Sequence, residues 1–138
     1  HVLYQVVAAA ASGDLPAALT EKLKLQCSSA EEGFKRFNIL TAADNECYWK
    51  SDESGQEFNL KSLTESLNAT GFTAEEQENL WTLLAVILHL GNVELSGGED
   101  GEKTVMKCAS MPIEEMATLL GLEEATFQDK MTIQLVPA

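Results

Sequence analysis

Residues 80–90 form an apolar segment that constrains the fold more than any other part of the sequence. Its apolar side chains are Leu80, Trp81, Leu83, Leu84, Val86, Ile87, Leu88 and Leu90. On an α-helix they point in almost every direction, so other elements must pack around that helix. Thr73 and Glu76 have the spacing of a capping box that starts such a helix, and Gly91 would end it. The sequence therefore predicts a central helix that is surrounded by the rest of the chain.

Other helices are indicated by apolar residues at helical spacing. They are expected at 2–11, 14–23, 54–70, 112–120 and around 127–131. Gly13, Gly71 and Gly121 are the expected stops. Asp14 is expected to cap the second helix, with Pro16 in the first turn, where proline is tolerated.

The helical spacing fails between Gln26 and Ser54, where aromatic residues stand among polar ones. This pattern predicts a long loop anchored by its aromatic side chains, with one short strand near 47–49. Residues 93–95 and 104–106 alternate as two short strands would, and 133–136 are β-like. The predicted fold class is mainly α: five or six helices, a long aromatic-anchored loop and minor β near the C-terminus. We expect one domain over residues 1–138.

The net charge of −13 excludes some classes of partner. A chain this acidic repels nucleic-acid backbones and anionic membrane surfaces, so we expect neither as a partner. No apolar run approaches the ~20 residues that a membrane-spanning helix needs. The three cysteines, Cys27, Cys47 and Cys108, are far apart in the sequence and favour reduced thiols in a cytosolic protein.

The sequence contains no motif for catalysis, nucleotide binding or metal binding. A phosphate-binding Walker loop requires G-x-x-x-x-G-K-[ST], whereas Gly97 and Gly98 lead into two acidic residues. A calcium-binding EF-hand at 44–52 would have Trp49 where its glycine must stand. Zinc needs about four clustered ligands, and His1 and His89 are far apart, so we predict that His89 is a hydrogen-bonded core residue. We predict no catalytic, cofactor-binding or metal-binding residue.

Three stretches of the sequence resemble myosin heads. Residues 1–9 (HVLYQVVAA) are similar to the family's F-H-I-F-Y-Q-L-L-A-G-A helix, and residues 70–77 (TGFTAEEQ) resemble its L-G-F-[ST]-x-E-E segment. Residues 80–93 (LWTLLAVILHLGNV) match the family's I-[FW]-x-[IL]-[LV]-A-A-[IV]-L-H-L-G-N-[IV] almost residue for residue. Weaker similarities occur at 37–40 and 119–122, in the same order as in the family.

The resemblance implies a segment of the upper fifty-kilodalton subdomain of an actin-based, ATP-driven motor. This segment would pack the upper wall of the actin-binding cleft and perform no catalysis of its own. The parent motor would be an actin-activated ATPase that uses ATP and Mg²⁺, but the family's phosphate loop and nucleotide switches lie outside these residues. The implied partners are the actin filament and the remainder of the motor head, and the implied location is the cytoplasm, in association with the cytoskeleton.

The resemblance also identifies a candidate loop on the actin side. Its residues are Ser96, Gly97, Gly98, Glu99, Asp100, Gly101, Glu102 and Lys103. The loop is short and acidic, so contact with actin and a purely solvated loop both stay open. The alternative function for the chain is a free-standing acidic helical module that binds other proteins.

Overall fold

The computed structural model describes residues 2–41, 60–97 and 104–132. Within these ranges the elements are α1 (Val2–Ser12), α2 (Ala17–Lys22), α3 (Ala30–Lys35), a 3-10 turn η1 (Asn38–Leu40), α4 (Leu60–Ala69), α5 (Ala74–Leu90), β1 (Val93–Ser96), β2 (Val105–Cys108), α6 (Ile113–Leu119) and α7 (Glu124–Thr132). This confirms the mainly α class with minor β near the C-terminus. The chain divides into two compact units, His1–Gly91 (unit 1) and Asn92–Ala138 (unit 2). That all 138 residues form one domain stays a prediction.

Helix α1 lies at the centre of the packing in unit 1, where it contacts α3, α4 and α5. Val6 and Val7 on its inner side are completely buried. Tyr4 adds two contacts: its ring meets the Phe34 ring edge-on at 5.0 Å between centroids, and its hydroxyl donates a 2.7 Å hydrogen bond to the Leu40 carbonyl. Helix α1 is thereby joined to both α3 and the η1 turn.

Helix α3 and the η1 turn correct the prediction of a long loop, at least for residues 26–41. Ser29 caps α3 by accepting a hydrogen bond from the Glu32 N–H, and the helix has only six residues. A helix this short is less than two turns long and shows no repeating apolar pattern. The expected aromatic anchors are confirmed at Phe34 and Phe37, which are both buried. The predicted strand near 47–49 and the start of the third predicted helix, at 54–59, lie outside the described residues.

Helix α2 begins later than predicted. Pro16 holds the N-cap position, with extended backbone angles of φ −53° and ψ 135°, and α2 starts at Ala17. Asp14 therefore does not cap this helix; it accepts a 2.8 Å hydrogen bond from the Ser12 hydroxyl instead. The prediction failed because a proline can stand immediately before a helix as well as inside its first turn.

The start of α5 confirms the predicted capping box. The Thr73 hydroxyl accepts a hydrogen bond from the Glu76 N–H, while the Glu76 carboxylate accepts one from the Thr73 N–H. The helix ends at Gly91 as predicted, but Gly91 has an ordinary right-handed backbone, with φ −62°. A side chain there would come close to the η1 turn, since an added Cβ would lie 3.1 Å from the Ile39 Cβ. Gly91 therefore allows a tight approach between the end of α5 and the η1 turn.

One side of α5 forms much of the core of unit 1. The buried residues of α5 are Gln77, Trp81, Thr82, Ala85, Val86, Leu88 and His89. His89 is completely buried, and its Nε2 atom lies 2.9 Å from the Leu23 carbonyl oxygen, which confirms the predicted core histidine. However, 48% of the surface of Leu83 is exposed. This corrects the prediction that α5 is surrounded on every side.

The closest approach between elements of unit 1 occurs at Gly33 in α3. A Cβ atom added there would lie 2.5 Å from Val7 Cγ1 and 2.9 Å from Cys27 Sγ. Such distances are far below van der Waals contact, so α3 can reach α1 only because residue 33 has no side chain.

We predict that Gly33→Ala lowers the free energy of unfolding by about 1–3 kcal/mol, because overpacking outweighs the better helix propensity of alanine. In a Val7→Ala background the same change should cost clearly less, because Val7 Cγ1 is gone. Urea unfolding of the wild type, both single variants and the double variant gives the coupling energy. Equal losses in the two backgrounds would show that the Val7 contact is not the cause.

Two carboxylates stabilise helix starts in unit 1. Glu32 accepts hydrogen bonds from the Ser28 hydroxyl and the Ser28 N–H, and Glu76 accepts them from the Thr73 N–H and hydroxyl. These hydrogen bonds hold the pKa of each carboxyl group below its usual 4.5. A carboxyl group with a lowered folded-state pKa stabilises the fold fully above its unfolded-state pKa, and that contribution is lost as pH falls through the folded value.

We therefore predict that acidification from pH 7 to about pH 3 destabilises the wild type more than it does Glu76→Gln. The glutamine oxygen still accepts a hydrogen bond, but the side chain has no charge to lose. Urea unfolding at both pH values measures the difference. Glu65→Gln, which changes an exposed carboxylate in the middle of α4, is the matched control. The capping explanation fails if both variants reduce the loss equally.

Candidate functional site

The candidate loop lies in a β-hairpin of unit 2. Strands β1 and β2 pair antiparallel, with Val93 opposite Cys108 and Ser96 opposite Val105. The two predicted strands are thus confirmed, and β2 continues two residues further than expected. Because Ser96 and Val105 are directly paired, the two ends of the connection between the strands are adjacent in space.

The structure describes two of the eight predicted loop residues. Ser96 is the last residue of β1, and Gly97 follows it with φ +83°, a left-handed conformation that favours glycine. Gly98–Lys103 lie outside the described residues. The part of the loop that is seen therefore leaves the hairpin at the end opposite Asn92 and Cys108.

The other end of the hairpin is held by a small polar cluster. The Asn92 side-chain amide donates a 3.1 Å hydrogen bond to the Ser110 hydroxyl, and Cys108 Sγ lies 3.2 Å from the same oxygen. Asn92 precedes β1 and Ser110 follows β2, so these bonds tie the two strands together at their base. Asn92 was not predicted to hold the hairpin, although a polar residue between a glycine and a strand was a visible signal.

The two faces of the hairpin differ in character. Directly paired residues share a face, so Glu94 with Lys107 presents opposite charges on one face, and Leu95 with Met106 lies on the other. Met106 is buried, and β2 contacts both α6 and α7. Leu95 is 62% exposed. The helices therefore support the hairpin through β2, and β1 is its more exposed strand.

A methionine-rich core fixes the position of β2. Met106, Met111 and Met116 are buried in unit 2, together with Ile113, Ala117 and Phe127. Helix α6 begins after Pro112 as predicted, and Gly121 ends it with a left-handed φ of +69°. The unbranched methionine side chains fill the irregular space between one strand and two helices. The hairpin is therefore supported through the buried side of β2.

The described residues form no cluster of side chains that could hold a metal ion. Within 2–41, 60–97 and 104–132, no three His, Cys, Asp or Glu side chains lie close enough together to hold a metal ion. Burial raises the pKa of the Cys27 thiol, and the nearby Glu32 carboxylate adds to the effect, so Cys27 is a poor nucleophile. None of the described helices is long and apolar enough to cross a membrane. The absence of catalytic and cofactor residues stays a prediction.

Comparison with known proteins identifies the family. The family model for the myosin head (motor domain) matches residues 1–137. The chain belongs to the myosin head family. It is 26% identical to human unconventional myosin-XV over 136 residues, which are 98% of this chain and 4% of that protein. It is 30% identical to unconventional myosin-Id of Danio rerio over 77 residues, or 56% of this chain and 7% of that protein.

A plant myosin is similar to a shorter stretch of the chain. Myosin-15 of Arabidopsis thaliana is 40% identical over 47 residues, which are 34% of this chain and 3% of that protein. The chain thus spans only a small part of the length of each of these myosins. The resemblance predicted from residues 70–77 and 80–93 is confirmed, and these stretches fall on the Gly71 turn, the α5 capping box, α5 itself and the start of β1.

We predict that the purified 138-residue chain binds no Mg²⁺-ATP, because its sequence has no phosphate-binding loop. Isothermal titration calorimetry should give only the heat of dilution. A myosin head that includes the family's phosphate loop is the positive control under the same conditions. Micromolar binding by the 138-residue chain would contradict the prediction.

Proposed function

We propose that this chain is a segment of an actin-based, ATP-driven myosin motor, in which it forms the upper wall of the actin-binding cleft. In this role it presents the hairpin loop, residues 96–103, to the actin filament. The match to the myosin head over residues 1–137 is the observation that carries the proposal. It favours the motor over the alternative of an unrelated acidic helical module.

The proposed role is one of support and contact. ATP and Mg²⁺ would be bound by parts of the parent motor that precede and follow these residues, and the motor would work in the cytoplasm on the actin cytoskeleton. The described residues of unit 2 supply a hairpin that is fixed at its base by Asn92 and Ser110 and packed through Met106. A hairpin packed in this way can hold a surface loop at a defined position while a cleft opens and closes.

The charge of the loop provides the test of its contact with actin. Glu99, Asp100 and Glu102 outnumber Lys103, so the loop is acidic. Actin, the proposed partner, is itself acidic. Like charges slow association. Removing the three carboxylates should therefore strengthen actin binding if the loop faces the filament.

We predict that the combined change Glu99→Gln, Asp100→Asn and Glu102→Gln, made in the motor head, lowers the KM for actin by about three- to tenfold at low ionic strength. The difference should shrink as salt is added, because exposed charges are screened. Actin-activated ATPase assays over a series of salt concentrations measure both effects.

A matched variant separates this local effect from the change in net charge. Glu21→Gln, Glu65→Gln and Glu114→Gln together also remove three exposed carboxylates, from α2, α4 and α6. If this control lowers the KM as much as the loop variant does, the loop has no special contact with actin. If the unsubstituted head shows no actin-activated ATPase activity, the motor proposal itself is wrong.

A further inference from the structure

The segment that leads from α2 into α3 exposes two serines just before two glutamates. Ser28 and Ser29 are both exposed. Glu31 and Glu32 follow them in the first turn of α3 and are exposed as well. Ser28 thus has one carboxylate three residues further along the chain and another one residue beyond it. Acid-directed protein kinases select serines by carboxylates at this spacing, so Ser28 has the charge pattern of a phosphorylation site.

The backbone around Ser28 is accessible as well as its hydroxyl group. Residues 25–29 belong to no helix or strand, and α3 starts only at Ala30. The Ser28 N–H and hydroxyl both donate hydrogen bonds to the exposed Glu32 carboxylate. A kinase binds its acceptor segment in an extended form. To reach that form, this segment has only to break these surface hydrogen bonds and fray the first turn of a six-residue helix.

Other hydroxyl groups with a carboxylate three residues further along are held more firmly. Ser62 has this spacing to Glu65, but both residues lie inside the ten-residue helix α4. Thr73 has it to Glu76, but these two side chains form the capping box of the 17-residue helix α5. A kinase would have to unwind a longer helix to extend either segment. Ser28 is therefore the better acceptor.

We propose that Ser28 is a phosphorylation site for an acid-directed serine/threonine kinase, and that its phosphate loosens the start of α3. In the transfer, Ser28 Oγ attacks the γ-phosphorus of the Mg²⁺-ATP bound to the kinase, and the bond from that phosphorus to the β,γ-bridging oxygen breaks. The hydroxyl proton passes to the catalytic carboxylate of the kinase, and ADP leaves. The inference goes beyond the proposed function and does not rest on it.

The phosphate would change the contacts that hold the start of α3. Phosphoserine carries about −1.5 to −2 charges at pH 7, and its Oγ has no proton to donate. Glu32 would lose the hydrogen bond from the Ser28 hydroxyl and face a second anion in its place. Glu32 is ionised at neutral pH, since its hydrogen bonds from Ser28 hold its pKa below the usual 4.5. Repulsion would therefore replace attraction at this cap.

The cations at the end of α3 already have acceptors of their own. Lys35 Nζ lies 2.6 Å from a carboxylate oxygen of Glu31, and Arg36 donates a 3.2 Å hydrogen bond to the Gln26 carbonyl. To neutralise the phosphate, either cation would have to give up one of these contacts. A six-residue helix also attracts an anion only weakly at its exposed N-terminal end. The net effect of the phosphate is therefore to weaken α3.

The experiment incubates the intact motor head with casein kinase II and Mg²⁺-ATP, and tandem mass spectrometry locates the phosphate. We expect phosphate on Ser28, with an initial rate about tenfold lower for Glu31→Gln, because the kinase reads that charge. Glu114→Gln, which changes an exposed carboxylate of α6, is the matched control and should leave the rate unchanged. Ser28 left unmodified, or equal rates for the two glutamine variants, would overturn the inference.

Hydrogen exchange measures the effect on α3 in the same heads. After phosphorylation the amides of residues 30–35 should exchange about three- to tenfold faster, while those of α4 stay unchanged. Kinase treatment of a Ser28→Ala head should leave α3 as it was, which excludes phosphates elsewhere as the cause. Equal exchange in the treated and untreated unsubstituted heads would overturn the link between the phosphate and the helix. A head without actin-activated ATPase activity can still be phosphorylated at Ser28, so the proposed function is tested separately.

Discussion

The Nε2 atom of His89 donates a hydrogen bond to the carbonyl oxygen of Leu23 in the core of unit 1, where water does not reach. Because a carbonyl oxygen can only accept, the proton must be on Nε2. Loss of this donor would leave a buried polar group unsatisfied, which is costly. The same ring meets Phe37 edge-on at 5.2 Å between centroids. One side chain of α5 thus fixes both the end of α2 and the segment that follows α3.

Two close contacts complete the packing of unit 1, and a glycine stands at each of them. Gly33 lets α3 approach Val7 of α1, and Gly91 lets the η1 turn approach the end of α5. Tyr4 of α1 adds a link to α3 through Phe34 and a link to the η1 turn through the Leu40 carbonyl. In unit 2 the support is of another kind, because flexible methionines pack β2 and two hydrogen-bonding side chains close the hairpin.

Long amphipathic or apolar helices and short alternating strands were predictable because their signals are local. The Thr73 capping box, the Gly71 and Gly121 stops and both strands appear where the sequence places them. Helix α3 was missed because six residues are too few to show a helical period. The start of α2 was misplaced because Pro16 fits two neighbouring helix positions. The glycines and charges of residues 96–103 indicate a surface loop, and only its placement on the actin side followed from the family resemblance.

By itself, the sequence determined the helical class, the position of helix α5 in the chain, the hairpin and the family, since all of these depend on residue order over short distances. Only the tertiary structure decided which side of α5 is buried. The apolar residues of that helix point in almost every direction, so the sequence pattern does not distinguish Leu88 from Leu83. Leu88 is completely buried, whereas Leu83 is half exposed. The distinction depends on where α1, the end of α2 and Phe37 meet the helix. Those contacts join residues far apart in the chain, and no local pattern encodes them.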